Sequence, residues 1–168
     1  MTRKSAQLVL AVLFSLGIGV LPAKAANIMK SATVDGLHIE LHVMPAEPFY
    51  TADQVKANPA LEGMLIVGGE KPLAPDAQPH PNYHLIVHVF DAQTGKALTD
   101  AKVIMKYQPV KEGKLQGMAT QVPVVIMQVI GKGSETTHYG NNVVLPHGTY
   151  AVTVAANGKE AVFHIDVP

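Results

Sequence analysis

Leu37-His38-Ile39-Glu40-Leu41-His42-Val43-Met44 alternates apolar and polar side chains without a break. In a β-strand successive side chains face opposite sides of the sheet. Leu37, Ile39, Leu41 and Val43 therefore share one face, and His38, Glu40, His42 and Met44 share the other. The first face suits a core. The second carries two imidazoles, a carboxylate and a thioether, all groups that bind soft or borderline metals. The plainer alternative is a polar sheet face that happens to carry histidine.

A second stretch repeats the pattern. In Tyr83-His84-Leu85-Ile86-Val87-His88-Val89-Phe90, His84, Ile86 and His88 lie opposite Tyr83, Leu85, Val87 and Val89. Neighbouring strands lie about 4.8 Å apart, so imidazoles on adjacent strands can reach one ion. One sequence leaves open whether these two strands are neighbours. A third stretch, Thr137-His138-Tyr139-Gly140-Asn141-Asn142, is expected to form a turn ahead of a strand, and a turn held by a rigid sheet can aim a ligand. Met127 lies on the preceding strand and Glu135 in the loop between. Met127 also fits a core position, since Val124, Val125, Ile126, Val129 and Ile130 surround it in sequence. His80, between two prolines, His147, in a Pro-His-Gly turn, and His164, alternating with Phe163 and Ile165, are expected at exposed positions.

Strand signals recur at 37–44, 64–67, 83–90, 102–107, 123–130, 142–145, 150–155 and 161–167. Asn157-Gly158 is a strong two-residue hairpin signal between the last two. Residues 51–61 can form one short helix, and residues 45–81, rich in proline, read as a long excursion over one end of the fold. Many short strands with Gly/Pro turns predict an all-β, immunoglobulin-like antiparallel sandwich of about 7–8 strands.

The N-terminus reads as a cleaved export signal. Arg3 and Lys4 precede an apolar run from Leu8 to Leu21, Pro22 breaks it, and Ala23-Lys24-Ala25 matches a small-x-small cleavage pattern. Residues 1–25 are thus expected to be removed, leaving residues 26–168 as one domain in a bacterial periplasm. Losing Arg3, Lys4 and Lys24 takes the basic count from 13 to 10 against 13 acidic side chains. Such a balance does not attract nucleic acid. The chain has no cysteine, which excludes disulfides, thiolate metal sites and cysteine nucleophiles. No Gly-x-Ser-x-Gly elbow, His-Glu-x-x-His pair or phosphate-cradling loop occurs.

His138-Tyr139-Gly140-Asn141-Asn142, followed by Leu145, Gly148-Thr149-Tyr150 and Val152-Thr153-Val154, resembles the bacterial periplasmic iron-transport-associated family. These are small copper- and iron-binding immunoglobulin-like proteins that accompany ferrous-iron permeases. The segment from Gly36-Leu37 to Met44-Pro45 is similar to an earlier family strand, and His84 to a metal histidine on the strand between. The resemblance implies ligands at Met44, His84, Met127 and His138, a homodimer, and an inner-membrane iron permease as partner. Two departures stand out. The family has Glu two residues after its strand histidine, where this chain has Ile86. Its Met-rich segment lies about seven residues before the His-Tyr-Gly, whereas Met127 lies eleven before His138.

Together these features predict a non-enzymatic carrier of copper or iron, with His38, Glu40, Met44, His42, His84, His88, Met127 and His138 as candidate ligands. Its affinity is expected to fall as pH drops through the imidazole range near 6.5. The alternatives are an immunoglobulin-like accessory module that holds a protein partner without metal, and a metal-dependent oxidase.

Overall fold

The computed structural model describes residues 27–73 and 79–168, so the expected signal segment lies outside the described residues. Among the described residues twelve strands are present: β1 (Ile28–Val34), β2 (Leu37–Pro45), β3 (Phe49–Tyr50), β4 (Met64–Gly69), β5 (Tyr83–Asp91), β6 (Val103–Lys111), β7 (Lys114–Leu115), β8 (Thr120–Val122), β9 (Val125–Val129), β10 (His138–Val143), β11 (Gly148–Ala156) and β12 (Lys159–Val167). One short helix, α1 (Ala52–Ala57), follows β3. It starts in a capping box: Thr51 Oγ1 accepts from the Gln54 backbone, and the Gln54 side chain accepts from the Thr51 backbone. Among the described residues no helix is long and apolar enough to cross a membrane.

The strands form a sandwich of two sheets. The larger runs β1-β2-β5-β10-β9-β4-β3, and the smaller runs β12-β11-β6-β7 with β8 also on β6. Pairing is antiparallel except for the two-residue match of β3 with β4. Seven of the eight expected strands are found with shifted ends, and the one expected at 142–145 starts earlier, as β10, and overlaps it only at Asn142 and Val143. The count exceeds the expected 7–8 because β1, β3, β7 and β8 were not anticipated; the last three have only two or three residues. β1 is tied to β2 by Asp35-Gly36, both at positive φ, which is the backbone of a two-residue hairpin turn. Asn157-Gly158 does the same between β11 and β12. The 45–81 excursion is more ordered than its prolines suggest, since β3, α1 and β4 lie within it.

Why the polar row of β2 faces away from the core follows from the apolar row. Ile39, Leu41 and Val43 are fully buried together with Leu85, Val87 and Val89 of β5, and Val152, Val154, Phe163 and Ile165 of the smaller sheet close over them. Period-2 alternation then leaves His38, Glu40, His42 and Met44 on the outer face of the larger sheet.

Two residues of β10 fix its neighbours. Tyr139 is buried, and its hydroxyl donates to the Leu98 carbonyl (2.9 Å) and accepts from the Ala101 backbone N–H (2.8 Å). A Cβ on Gly140 would run into the Leu85 carbonyl oxygen, so only glycine lets β10 approach β5 this closely.

Replacing Tyr139 by Phe leaves the Ala101 N–H inside the protein without an acceptor, a cost of about 1–3 kcal/mol. Thermal melting should show a midpoint lower by roughly 3–10 °C. An unchanged midpoint would mean that water replaces the hydroxyl.

Candidate metal centre

The strands left unordered by the sequence are neighbours. β2 pairs with β5 so that His38 faces Phe90, Glu40 faces His88, His42 faces Ile86 and Met44 faces His84. β10 follows on the other side of β5, with Asn142 opposite His84 and Tyr139 opposite Val87. β9 follows β10, with Met127 directly opposite His138. Residues paired directly across strands share a face. Glu40, His88, His138 and Met127 therefore form one row across four strands, and Met44 and His84 form a second row.

The imidazoles run in file. Ring centroids are 5.4 Å apart for His42 and His88, 5.6 Å for His88 and His138, and 5.9 Å for His138 and His84. Two imidazoles on one ion, with metal–nitrogen bonds of about 2.0 Å, hold their centroids roughly 5 to 6 Å apart over angles from tetrahedral to linear. Each consecutive pair meets that spacing. His84 and His138 lie two rows apart on their strands, with Gly140 opposite Ile86 in the row between.

Burial grades along the file. His84 is 0% and His138 2% exposed, whereas His88, His42, Glu40 and His38 are half-buried. Phe49 of β3 packs its ring edge-on to His84 at 5.2 Å and covers that end. Beyond it, Phe49, Met64, Ile66, Val125, Met127 and Val129 form an apolar cluster on the same outer face. Met127 thus fills both roles weighed for it: it is packed among apolar side chains and stands opposite His138. Asn142 holds the strap that carries Phe49, accepting from the Glu47 N–H (3.2 Å) and donating to the Glu47 carbonyl (2.7 Å). At the other end a cavity of about 200 Å³ is lined by Glu40, His42, His88, Glu135 and Thr137 and forms an acidic mouth.

The ring nitrogens point to unfilled demand. Nδ1 and Nε2 of His84, Nε2 of His138 and Nε2 of His42 are buried with no hydrogen-bond partner. His42 Nε2 lies 3.5 Å from Glu40 Oε2, close enough for electrostatic attraction but not aligned as a hydrogen bond. His138 Nδ1 donates to the Thr136 carbonyl at 2.8 Å. Since a carbonyl only accepts, this fixes the tautomer and leaves the Nε2 lone pair free, as in metal-ligating histidines. His38 is more fully partnered: Nε2 lies 3.2 Å from Glu40 Oε1 and Nδ1 3.2 Å from Thr33 Oγ1.

His138 is the first residue of β10, not a turn residue ahead of a strand as its sequence suggested. The Thr136–Thr137 segment is tied back by side-chain bonds to Val129, Gly133 and Ser134, so pairing begins at His138 itself. His147 and His164 are exposed and outside the file, as expected, and His80 is exposed on its loop. Sequence reasoning missed Phe49 as the cover of His84 and left Glu135 without a clear role. Ile86, which stands where the resembled family has Glu, sits on the outer face between His84 and His88 and is buried.

Among the described residues no three His, Cys, Asp or Glu side chains are placed to hold one ion together. Any ion on this face would need a thioether or a side-chain rearrangement to complete its ligands. No known protein family, curated protein or solved structure matches the chain.

Burial holds the inner imidazoles neutral. His84 is lowered to about 3, by desolvation first and by His138 second. His88 is lowered to about 4 by desolvation, His138 and His42, against the opposing pull of Glu40 and the Thr137 backbone. His138 is lowered by desolvation and His42, although its bond to Thr136 opposes this. For these three rings burial disfavours the charged form relative to an ordinary imidazole.

The sign follows from linkage. Below pH 6.5 the unfolded chain takes up protons that the folded chain refuses, so stability is full above that pH and falls as pH drops towards 4 and 3. Each such group withdraws about 1.4 kcal/mol per pH unit in that window. The metal-free protein should lose roughly 10 °C of melting temperature between pH 7 and pH 5. His84→Leu, which removes one of the three rings, should flatten that slope by about a third; equal slopes in both proteins would show that His84 is not held neutral by burial.

Proposed function

We propose that this chain is an exported carrier that takes up a transition-metal ion, copper or iron, and hands it to a membrane transporter. The observation that supports it most is the file of four imidazoles with four buried, unpartnered ring nitrogens. An unsatisfied buried polar group costs about 1–3 kcal/mol. Four of them on one face are hard to account for as packing alone, and each neutral ring has one lone pair to offer, so an ion at the buried end would use one nitrogen of His84 and the Nε2 of His138.

The donor set favours copper over iron. Two imidazoles, His84 and His138, meet at the buried end, and Met44 and Met127 are their respective cross-strand partners. Since no third imidazole or carboxylate is placed to join them, thioether sulfur would complete the site. Soft thioether and imidazole suit Cu⁺ far better than they suit Fe²⁺. With Ile86 in place of a carboxylate, the buried end offers no anionic donor on β5 for a hard ion.

The periplasmic setting rests on the signal-like N-terminus, and the permease partner and homodimer rest on the family resemblance. The chain is a carrier rather than an enzyme in this reading. A carrier must release its cargo, and a mixed His/Met set with an open mouth at one end allows that.

Purified residues 26–168 should bind Cu⁺ tightly in competition with a chelator of known affinity. His84→Ala or His138→Ala should weaken binding by more than about 100-fold, beyond the ~10–100-fold typical of changes around a ligand set. His164→Ala, on the exposed face of β12, should leave it unchanged. Equal affinity in all four proteins would favour a module that holds a protein partner, and turnover of a reducing substrate by the copper-loaded protein would favour an oxidase.

A further inference from the structure

We propose that β1 and β2 carry a separate outer copper site, formed by the Met29 thioether, the Glu40 carboxylate and the His42 imidazole, where the ion first lands. It rests on the carrier reading and adds to it a loading position and a ligand, Met29, outside the residues considered above.

The register brings the three together. Met29 is the direct cross-strand partner of His42, and Ser31 is the partner of Glu40. Met29, Glu40 and His42 therefore share the outer face, and together with Lys30 and Ser31 they line one solvent-facing depression of about 130 Å³. Met29 is 68% exposed. It contributes little to packing there, yet it sets a thioether beside an imidazole and a carboxylate. His42 Nε2 is the second observation: it is shielded from water, has no hydrogen-bond partner, and lies 3.5 Å from Glu40 Oε2. Two donors on one tetrahedral ion with bonds of about 2.0 Å stand roughly 3.3 Å apart, close to that separation.

His38 acts as a positioning residue. Glu40 Oε1 accepts from the His38 ring at 3.2 Å, and Thr33 fixes the other side of that ring. Glu40 Oε2 is thereby turned towards His42.

The outer group is distinct from the buried one. Two rings, His88 and His138, separate His42 from His84 along the file. The donors also differ in kind: the outer set has a carboxylate and is wet, whereas the inner set has neutral donors and is dry. A carboxylate at the mouth raises the local concentration of cations, and the 5.4 Å step from His42 to His88 is short enough for the two rings to share an ion in transit.

The test combines Cu⁺ equilibrium titration with stopped-flow loading of the wild type, Met29→Leu, Glu40→Gln and His138→Ala. Wild type should take two equivalents, one tight and one weaker. Met29→Leu and Glu40→Gln should lose the weaker equivalent and keep the affinity of the tight one, and both should load more slowly, Glu40→Gln by about fivefold because a charge at the rim is removed as well. His138→Ala should lose the tight equivalent and keep the weaker. A single tight equivalent in wild type, with stoichiometry and loading rate unchanged in Met29→Leu and Glu40→Gln, would overturn the outer site and leave the carrier standing. No copper bound by the wild type would overturn both.

Discussion

The pairing of β2 with β5 is the constraint on which the outer face depends. Its register sets Glu40 against His88 and Met44 against His84, while Ile39, Leu41 and Val43 go into the core with Leu85, Val87 and Val89. Strand periodicity makes this all-or-none: a slip of one residue would send three imidazole or carboxylate side chains into the core and three aliphatic ones into water. The same burial that holds the sandwich together therefore holds the donors in line. β10 extends the row because Gly140 permits close approach and Tyr139 anchors the strand from the core side.

Inner-face packing also has to offset what the outer face costs. The His84 imidazole sits under Phe49 with neither nitrogen bonded, and the His138 Nε2 is bare beside it. Both rings are forced towards the neutral state. A fold with a smaller core could not keep such groups dry. Here twenty-one buried residues form one apolar cluster between the sheets, and a second, smaller cluster around Met127 shields the site from its far side. Strain of this kind concentrates where a protein binds something, because a satisfied and solvated histidine has no reason to accept a new partner.

Much of this was legible in the residues. The two alternating stretches place six of the eight candidate ligands on one side of two strands before any coordinates are known, and the hairpin at Asn157-Gly158 is read directly. The Asp35-Gly36 turn was equally readable: a two-residue turn sets Val34 opposite Leu37, and counting back puts Met29 opposite His42. The strand ahead of it gives a weak signal, since Lys30, Ser31 and Thr33 among the seven residues of β1 break the apolar alternation. Strand order was beyond reach, since β5 and β10 meet across more than forty residues and only packing selects that neighbour. The cover supplied by Phe49 was hidden for a different reason. It sits on a two-residue strand held by long-range bonds to Asn142, a pairing that no local pattern encodes.

Ile86 bears on which ion suits the buried end. Where the resembled family carries a carboxylate, this chain carries an apolar side chain between His84 and His88. The donors left there, two imidazoles and two thioethers, are all neutral. The idealised cost of moving an ion from water into a low-dielectric interior grows as the square of its charge, so a divalent ion faces about four times the penalty of a monovalent one. A carboxylate would offset that penalty; thioethers do not. In the proposed carrier, a buried site built from neutral, soft donors would discriminate by charge as well as by ligand preference, and both would favour Cu⁺. Glu40 and Glu135 keep their carboxylates at the wet mouth, where they can attract a cation without having to be desolvated with it.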